Sequence, residues 1–302
     1  MNLTSIWSVL EETFDRLGGY GFAAMNKAAT ELSLEPGWMT WIAAIWLFGS
    51  EPITTAIFMR MVPYGLPHLN EERFASAMRQ GYLITDGKNG YIPTEAGLMA
   101  AQIVWRNAGD SLAGLDPMPE AQLCNIFDYL AHLGEASMSA TEPPPHFFMS
   151  HKRENYQRFP VIYLLERFVV LFGELAAYRE DAHIAAWQVH KIEGHAWEAL
   201  TYLWRSQTSA SADTLYEKLG YRSIPREIYL QDLRKLASRG WVLEDAGEYQ
   251  ITVDGRVIRE EAEELTDQYF FTPWVCLNEA EIEDFFNLST QLRDGLRSLS
   301  KE

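Results

Sequence analysis

The chain has 302 residues, of which 47% are hydrophobic and 22% are charged, a composition that excludes long disorder. Its 42 acidic and 25 basic residues give a net charge of −17, which opposes binding to phosphate backbones and anionic membranes. Two cysteines are too few for a disulfide framework, no apolar run reaches the roughly 18 residues of a membrane helix, and the N-terminus lacks the basic start of a signal peptide. We therefore expect a soluble, cytoplasmic protein.

In chain order, the first half predicts a leading helix followed by a three-helix unit. The leading helix is expected over residues 4–18, and the three helices over residues 37–48, 53–62 and 70–80. Residues 81–94 then consist of two short apolar strands around a polar turn. The pattern is that of a mainly α-helical unit with a small hairpin.

The chain contains an internal repeat. Residues 81–97 and 240–255 both consist of a glycine, a short apolar run, a polar turn, a second short strand and Thr-x-x-Gly. The two segments lie 158–159 positions apart, and Trp46 lies 158 positions before Trp204. Because several such matches occur in the same order, we interpret them as a duplication of about 100 residues.

The repeat defines the expected domains. Residues 1–135 are assigned to a leading helix and a first, degenerate copy, and residues 161–302 to a leading helix and a second copy. Between them, residues 136–160 are rich in Ser, Thr and Pro and are predicted to be a linker or a long surface loop. The second leading helix is expected in the apolar run over residues 160–191.

The second copy can be interpreted element by element. Ser211 and Ser223 are expected N-caps, and Pro225 fits the first turn of the helix that follows Ser223. The predicted elements are helices over 195–204, 211–219 and 223–239, strands over 241–243 and 249–252, and a helix over 253–269. Three helices followed by a hairpin form a winged helix-turn-helix unit, so the expected fold is mainly α with small β-wings, with duplicated units on a helical scaffold.

Two segments carry a family resemblance. Residues 233–255, with Arg239-Gly240-Trp241 and Thr252-x-x-Gly255, resemble the third helix, wing and following helix of MarR-type winged-helix proteins. Residues 264–277, with Pro273-Trp274, resemble the SalK-type branch of that fold. The resemblance implies that the third helix enters the major groove and that the wing lies on a phosphate backbone. It also implies that one chain forms what a MarR-type dimer builds from two.

The charge around the predicted third helix partly supports DNA binding. Residues 218–239 hold six basic and two acidic residues, a net charge of +4. The candidate DNA-binding residues are Arg222, Arg226, Arg234, Lys235 and Arg239. The equivalent segment of the first copy, residues 60–82, has Arg60, Arg73 and Arg79 against Glu71 and Glu72, and its wing offers only Lys88, offset by Asp86. The wing opposes DNA binding, because it carries three carboxylates, those of Glu244, Asp245 and Glu248. The alternative is a solvated helix face that balances nearby acids.

Metal and catalytic motifs are weak. The candidate metal ligands are His183, His190 and Glu193, whose spacing includes one H-x-x-E pair, but Gly194 interrupts a continuous helical face. Structural or surface histidines are the preferred interpretation, and no metal site is predicted. The sequence has no glycine-rich nucleotide loop and no nucleophile-elbow motif, so no cofactor and no catalytic residue are predicted.

The aromatic content is high, at 13% with ten Trp residues. The candidate ligand-binding residues are Trp38, Trp41, Trp46, Trp187 and Trp197. Such faces usually form core, because burying an indole ring removes a large apolar area from water. The functional alternative is an apolar pocket between the two halves for a flat organic ligand.

Together these patterns favour a non-enzymatic, ligand-responsive regulator that binds double-stranded DNA through its second copy. The alternative is a winged-helix module that does not bind DNA and instead takes a small apolar or aromatic ligand or a protein partner. A metal-dependent enzyme is the third and most distant possibility. Both a monomer and a homodimer fit the sequence.

Overall fold

The computed structural model describes residues 2–156 and 158–299. The first half contains α1 (Leu3–Glu31), α2 (Trp38–Phe48), α3 (Thr55–Met61), α4 (Pro67–Arg79), β1 (Leu83–Thr85), β2 (Tyr91–Pro93), α5 (Glu95–Asp110) and α6 (Glu120–Met138). After α7 (Phe147–Tyr156), the second half contains α8 (Leu164–Gln188), α9 (Gly194–Ser206), α10 (Ala212–Lys218), α11 (Arg226–Ser238), β3 (Val242–Asp245), β4 (Glu248–Ile251), α12 (Val253–Phe271) and α13 (Glu279–Leu299). The prediction of a mainly α fold with small β-wings is confirmed.

The two halves have the same order of elements: a long helix, three shorter helices, an antiparallel hairpin and two more helices. In each half, the loop before the second short helix also pairs with the second hairpin strand. Ile53 forms this bridge with Tyr91, and Ala210 forms it with Tyr249, with N···O distances of 2.8–3.0 Å. Helices α2–α4 with β1–β2, and helices α9–α11 with β3–β4, therefore each form a unit of three helices and a hairpin; we call these units the first and the second winged helix.

Apolar side chains are buried in three clusters. One lies inside the first winged helix, one inside the second, and the third is a central cluster to which α1, α6, α8 and α13 contribute. Leu66 of the first half is buried in the cluster of the second winged helix, and Tyr64 and Leu69 pack against it. The two winged helices therefore share a packed boundary.

The repeated Thr-x-x-Gly motif has the same structural role in both halves. The Thr94 hydroxyl donates to the Gly81 carbonyl oxygen at 2.7 Å and accepts from the Gly97 amide at 3.1 Å, which caps α5. Thr252 caps α12 in the same way, with distances of 2.7 and 3.0 Å. The glycine of each motif lies directly against a backbone carbonyl of the preceding hairpin, that of Tyr82 or of Trp241.

We expect Gly255→Ala to lower the free energy of unfolding by about 2 kcal/mol, because the added Cβ would overlap the Trp241 carbonyl oxygen. As a control, Gly19→Ala in α1 meets no atom within 4 Å and should raise stability by about 0.5–1 kcal/mol, the usual helix preference for alanine. Urea unfolding of both variants measures the difference. A stabilising Gly255→Ala would contradict the close approach.

The leading helix is longer than predicted. It was expected to end at residue 18 but continues through Gly18 and Gly19 to Glu31. Ala28 and Ala29, in the extension, are buried, and Ala28 joins the core of the first winged helix. Tertiary packing therefore outweighs the low helix propensity of the two glycines.

Residues 136–160, which were expected to be a linker or loop, contain a helix. α7 packs on α2 and α8, and its Met149 is fully buried. The Asp181 carboxylate of α8 accepts the backbone N–H groups of Phe148 and Met149 at 2.9 and 3.0 Å. This cap comes from a residue more than 30 positions away, so no local pattern predicts it.

The two serines predicted as N-caps differ in the structure. Ser211 caps α10 as predicted, accepting from the Thr214 amide at 3.2 Å, whereas the prediction that Ser223 caps α11 is wrong. Ser223 has a φ of 59°, and its hydroxyl accepts from Arg73 of the first half at 3.3 Å. Within the described residues, none of the helices is both long enough and apolar enough to span a membrane.

Candidate nucleic-acid interface and adjoining cleft

Helix α11 is amphipathic, with one face in the core of the second winged helix and the other in solvent. Tyr229, Leu233 and Leu236 are fully buried at helical spacing. Glu227, Gln231 and Arg234 lie on the exposed side. The buried stripe fixes the rotation of α11, so the outward side chains are those available to a partner.

Two of the five predicted DNA-binding residues lie on the outward side. Arg226 begins α11 and pairs with Asp213 of α10, with an Nη2–Oδ2 distance of 2.8 Å. Arg234 is exposed and interacts with the hydroxyl of Tyr249 in the wing. Exposed ion pairs of this kind contribute little to stability, so the Arg226 guanidinium can exchange its partner for another anion at small cost.

Two other predicted DNA-binding residues, Lys235 and Arg239, bind the turn between α8 and α9. Lys235 pairs with Glu193, and Arg239 donates to the carbonyl oxygens of His190 and Lys191 at 2.7 and 2.9 Å. These contacts tie the C-terminal end of α11 to the turn between α8 and α9.

The wing between β3 and β4 is acidic, as the sequence showed. Glu244, Asp245 and Glu248 are all exposed, and Asp245 stands directly opposite Glu248 in the hairpin register. Ala246 and Gly247 form the two-residue turn, both with positive φ. Like charges on opposite strands destabilise a hairpin, so this tip carries charge at a cost to its own stability.

Most of the corresponding basic residues of the first half have contacts within the protein. The Arg73 guanidinium donates to Thr40, Asn70 and Ser223 at 3.3–3.4 Å, and burial lowers its pKa. Arg60 lies over the Phe147 ring at 3.6 Å. Two of the three arginines of the first winged helix therefore have contacts within the protein, and Arg79 is exposed.

A polar cleft of about 450 Å³ lies beside the second winged helix, between α1, the α3–α4 loop, α8, α9 and α12. We call it the polar cleft. Its ionisable lining residues include Glu11, Arg179, Glu180, His183, Glu198, Arg205, Arg222 and Glu263. Trp7, Tyr64 and Trp197 supply its aromatic surface. Both halves contribute to this cleft, and its lining is polar, whereas the pocket expected from the sequence between the two halves was apolar.

Arg222, the fifth predicted DNA-binding residue, lines the polar cleft. Its Nε and Nη2 donate to the Glu198 carboxylate at 2.7–3.0 Å. The guanidinium also lies 5.2 Å from the Tyr64 ring and 5.0 Å from the Tyr221 ring. Arg222 ends the short 3₁₀ turn that leads into α11, so one side chain joins the cleft wall to the start of that helix.

Next to Arg222, the Tyr64 hydroxyl donates to Glu180 Oε1 at 2.6 Å. Burial raises the pKa of Glu180 and raises that of Tyr64 well above its usual value. Burial likewise raises the pKa of Glu11. The cleft therefore holds carboxyl groups whose charged form is disfavoured, which makes them responsive to a ligand that brings a cation or a hydrogen-bond partner.

Arg259, next to the cleft, is fully buried. Its guanidinium lies 4.7 Å from the rings of both Trp197 and Trp204, and its Nη2 bonds Glu263 at 2.5 Å. Its Nε and Nη1 have no hydrogen-bond partner among the described residues. Burial raises the pKa of Glu263, but the positive charge of Arg259 lowers it by more. The pKa of Glu263 therefore lies below its usual value.

Sequence reasoning missed Arg259, although a signal was present. Gly255, Ala262, Thr266 and Phe270 are the other buried residues of α12, and Arg259 stands among them at helical spacing. That spacing places the arginine on the buried face of the helix.

His183 of α8 completes this network. Thr266 donates to the Ala262 carbonyl at 2.6 Å, so its hydroxyl oxygen accepts from His183 Nδ1 at 3.2 Å. His183 Nε2 in turn accepts from the Trp197 indole at 3.4 Å. Burial lowers the pKa of His183 to about 4, against the opposing effect of Glu263. The ring is therefore neutral in the folded protein at neutral pH, with its proton on Nδ1.

This shift predicts that the contribution of His183 to stability becomes unfavourable as the pH falls. The unfolded histidine, with a pKa of 6.5, binds a proton that the folded one excludes down to about pH 4, so stability falls as the pH drops through this range. Between pH 7 and 4.5 the wild type should lose about 2 kcal/mol more than His183→Gln. Urea unfolding of both proteins at each pH isolates His183 from the opposing Asp181, whose pKa burial raises to about 7. Equal losses in the two proteins would refute the assignment.

Sequence comparison adds to this geometry. Residues 169–299 match the model of a helix-turn-helix family. The match starts within α8 and ends with α13, so it contains α9–α11, the wing and much of the polar cleft. It supports a helix-turn-helix domain in this part of the chain and, at a general level, a DNA-binding regulator. No curated protein and no solved structure matched the chain.

Within the helix-turn-helix domain, each of the three candidate metal ligands has a different structural contact. His183 belongs to the network around Arg259, His190 stacks on Trp197 with ring centroids 5.8 Å apart, and Glu193 pairs with Lys235. Across residues 2–156 and 158–299, no group of three or more His, Cys, Asp or Glu side chains is arranged to hold a metal ion.

The predicted ligand-binding tryptophans also lie in different parts of the molecule. Trp41 is buried in the core of the first winged helix and Trp187 in the core of the second. Trp38 packs against the first of these cores. Trp197 lines the polar cleft, and Trp46 lines a separate cavity to which α1, α2, α5 and α8 contribute. The five residues therefore do not form one pocket.

Proposed function

We propose that this chain is a winged-helix transcriptional regulator that binds DNA through its second half. The observation that carries the proposal is the position of Arg226 and Arg234 on the outward side of α11, within the segment that matches the helix-turn-helix family. In this fold the third helix enters the major groove while neighbouring side chains contact phosphates. Arg239, which binds two backbone carbonyls, then acts by fixing α11, whereas the exposed ion pair of Lys235 with Glu193 can exchange for a phosphate as that of Arg226 can.

A small ligand in the polar cleft controls DNA binding in this proposal. Arg222 connects the cleft to the turn before α11 through its contacts with Glu198 and Tyr64. A ligand that competes for either partner changes the position of that turn, and an effector acts only if it binds two conformations unequally. The charged and aromatic lining fits an aromatic ligand with polar substituents.

We further propose that the halves arose by duplication of a unit related to the MarR-type or SalK-type winged helix. The identical order of elements supports this. So do the equivalent bridges of Ile53 and Ala210, and the equivalent caps of Thr94 and Thr252.

A second candidate is a winged-helix module that does not bind DNA. The exposed carboxylates of Asp245 and Glu248, together with the pairing of Arg226 with Asp213, favour it. In that case the polar cleft would carry the function and the wing would face solvent or a basic partner.

The wing distinguishes the two candidates. If it lies on a phosphate backbone, Asp245→Asn/Glu248→Gln should tighten binding to duplex DNA about five- to tenfold at low salt, because two charges near the phosphates are removed. Fluorescence anisotropy with a labelled duplex measures this change.

The matched control is Asp128→Asn/Glu283→Gln, which removes one exposed Asp and one exposed Glu from α6 and α13. It alters net charge equally and should change affinity less than twofold, since salt screens distant charges. Equal effects of the two double variants, or no effect of either, would contradict DNA contact by the wing.

A further inference from the structure

The buried stripe of α11 determines which of its side chains point away from the core. Four exposed residues lie on the side opposite this stripe, at spacings of four, three and four positions: Glu227, Gln231, Arg234 and Ser238. A surface that lies against α11 therefore meets these four side chains first.

Glu227 and Gln231 differ from the other two because they have no partner within the protein. Among the described residues, neither side chain forms a hydrogen bond or an ion pair. In contrast, the Ser238 hydroxyl donates to the Lys235 carbonyl oxygen at 2.7 Å, and Arg234 interacts with the wing. Glu227 and Gln231 can therefore form hydrogen bonds to a bound molecule without losing contacts in the protein.

The carboxylate of Glu227 and the carboxamide of Gln231 suit different base edges in the major groove. A carboxylate only accepts hydrogen bonds, so it pairs with the N4 amino group of cytosine and is repelled by the N7 and O6 acceptors of guanine. A carboxamide both donates and accepts, which matches the N6 amino group and the N7 acceptor of adenine. Glu227 therefore fits cytosine, and Gln231 fits adenine.

The position of the two residues on α11 fits contact with bases. Both lie in the first half of the helix, which begins at Arg226, and residues near the N-terminus of a recognition helix contact base edges. Because they are four positions apart, they lie about 6 Å apart along the helix axis. Base pairs are stacked about 3.4 Å apart. A helix that lies along the groove therefore brings the two side chains to base pairs about one or two steps apart.

We propose that Glu227 and Gln231 determine the DNA sequence preference of this chain, by contacting a cytosine and an adenine about one or two base pairs apart. The inference rests on the proposed DNA binding by α11 and adds to it the identity of the bases. Arg226, at the first position of α11, then supplies a phosphate contact that positions the helix. Glu227 also weakens binding to sites without the cytosine, because its carboxylate then lies near phosphates and base acceptors without a donor.

Selection from a randomised duplex library, followed by sequencing, identifies the preferred site of the full chain. The wild type should select a C·G pair and an A·T pair about one or two steps apart. Replacing either pair should weaken binding about tenfold in fluorescence anisotropy.

Two exchange variants test which side chain contacts which base. In Glu227→Gln, the preference at the cytosine position should change to adenine, because the carboxamide matches adenine. In Gln231→Glu, the preference at the adenine position should change to cytosine. All other positions should keep the wild-type preference. Each preference is a ratio between duplexes bound by the same protein, so a general change of affinity caused by the altered charge cancels.

Glu283→Gln, at an exposed position of α13, removes the same charge as Glu227→Gln and should select the wild-type site. A selected site that neither exchange variant alters would overturn the roles of Glu227 and Gln231. Salt-dependent binding that enriches no sequence would also overturn them, and in both cases DNA binding by the chain would stand. Absence of binding by the wild type at low salt would instead contradict the proposed function, and this inference with it.

Discussion

Arg259→Ala is expected to lower the free energy of unfolding by about 3–5 kcal/mol, the largest effect on stability that we predict. The Arg259 side chain is fully buried, and its removal leaves the Glu263 carboxylate, which is 27% exposed, without its ion-pair partner. The change also empties the space between Trp197 and Trp204, each 4.7 Å from the guanidinium. Urea unfolding at pH 7 measures the loss.

Arg259→Met separates the role of the charge from that of packing. Methionine keeps a flexible apolar stem between the two indoles and removes the two unpartnered nitrogens of Arg259. Combined with Glu263→Gln, it should cost less than about 1 kcal/mol, because apolar replacement of a buried ion pair is often neutral. If Arg259→Ala cost as little as this double variant, the network would not stabilise the fold.

Arg226→Ala/Arg234→Ala is expected to weaken binding to duplex DNA at least about tenfold at low salt and to reduce the salt-dependence slope by about two. Both side chains lie on the outward side of α11. Loss of Arg226 also leaves the Asp213 carboxylate unpaired near the phosphates. Fluorescence anisotropy across a salt series gives both quantities.

Lys27→Ala/Arg158→Ala is the matched control. Both residues are exposed, lie outside the second winged helix and pair with a glutamate four positions away, Glu31 and Glu154. This variant has the same net charge as the first and should bind DNA nearly as the wild type does. Equal weakening in both double variants would mean that α11 does not contact DNA.

The elements of the second half were predictable because their signals are local. Ser211 caps α10 as expected, and Tyr229, Leu233 and Leu236, at helical spacing in the predicted third helix, form its buried stripe. These features depend on side-chain spacing and on hydrogen bonds that span three residues, which the sequence shows directly.

The candidate site was less predictable because its contacts are tertiary. The polar cleft joins Tyr64 of the first half to Glu180 of α8, and α7 is capped by Asp181. Arg222 was expected to face DNA because it stands in a basic stretch, yet it binds Glu198 of α9. Charge counts along the chain cannot tell a cation that has an internal partner from one that is available.

The most direct test of the account is binding of the wild-type chain to a random-sequence DNA duplex, measured by fluorescence anisotropy at low salt and again near physiological salt. The account predicts binding at low salt that weakens steeply as salt increases, since contacts to phosphates release counterions. Absence of binding at low salt would contradict it. The acidic wing would then outweigh Arg226 and Arg234, and the winged helices would serve as a scaffold for the polar cleft.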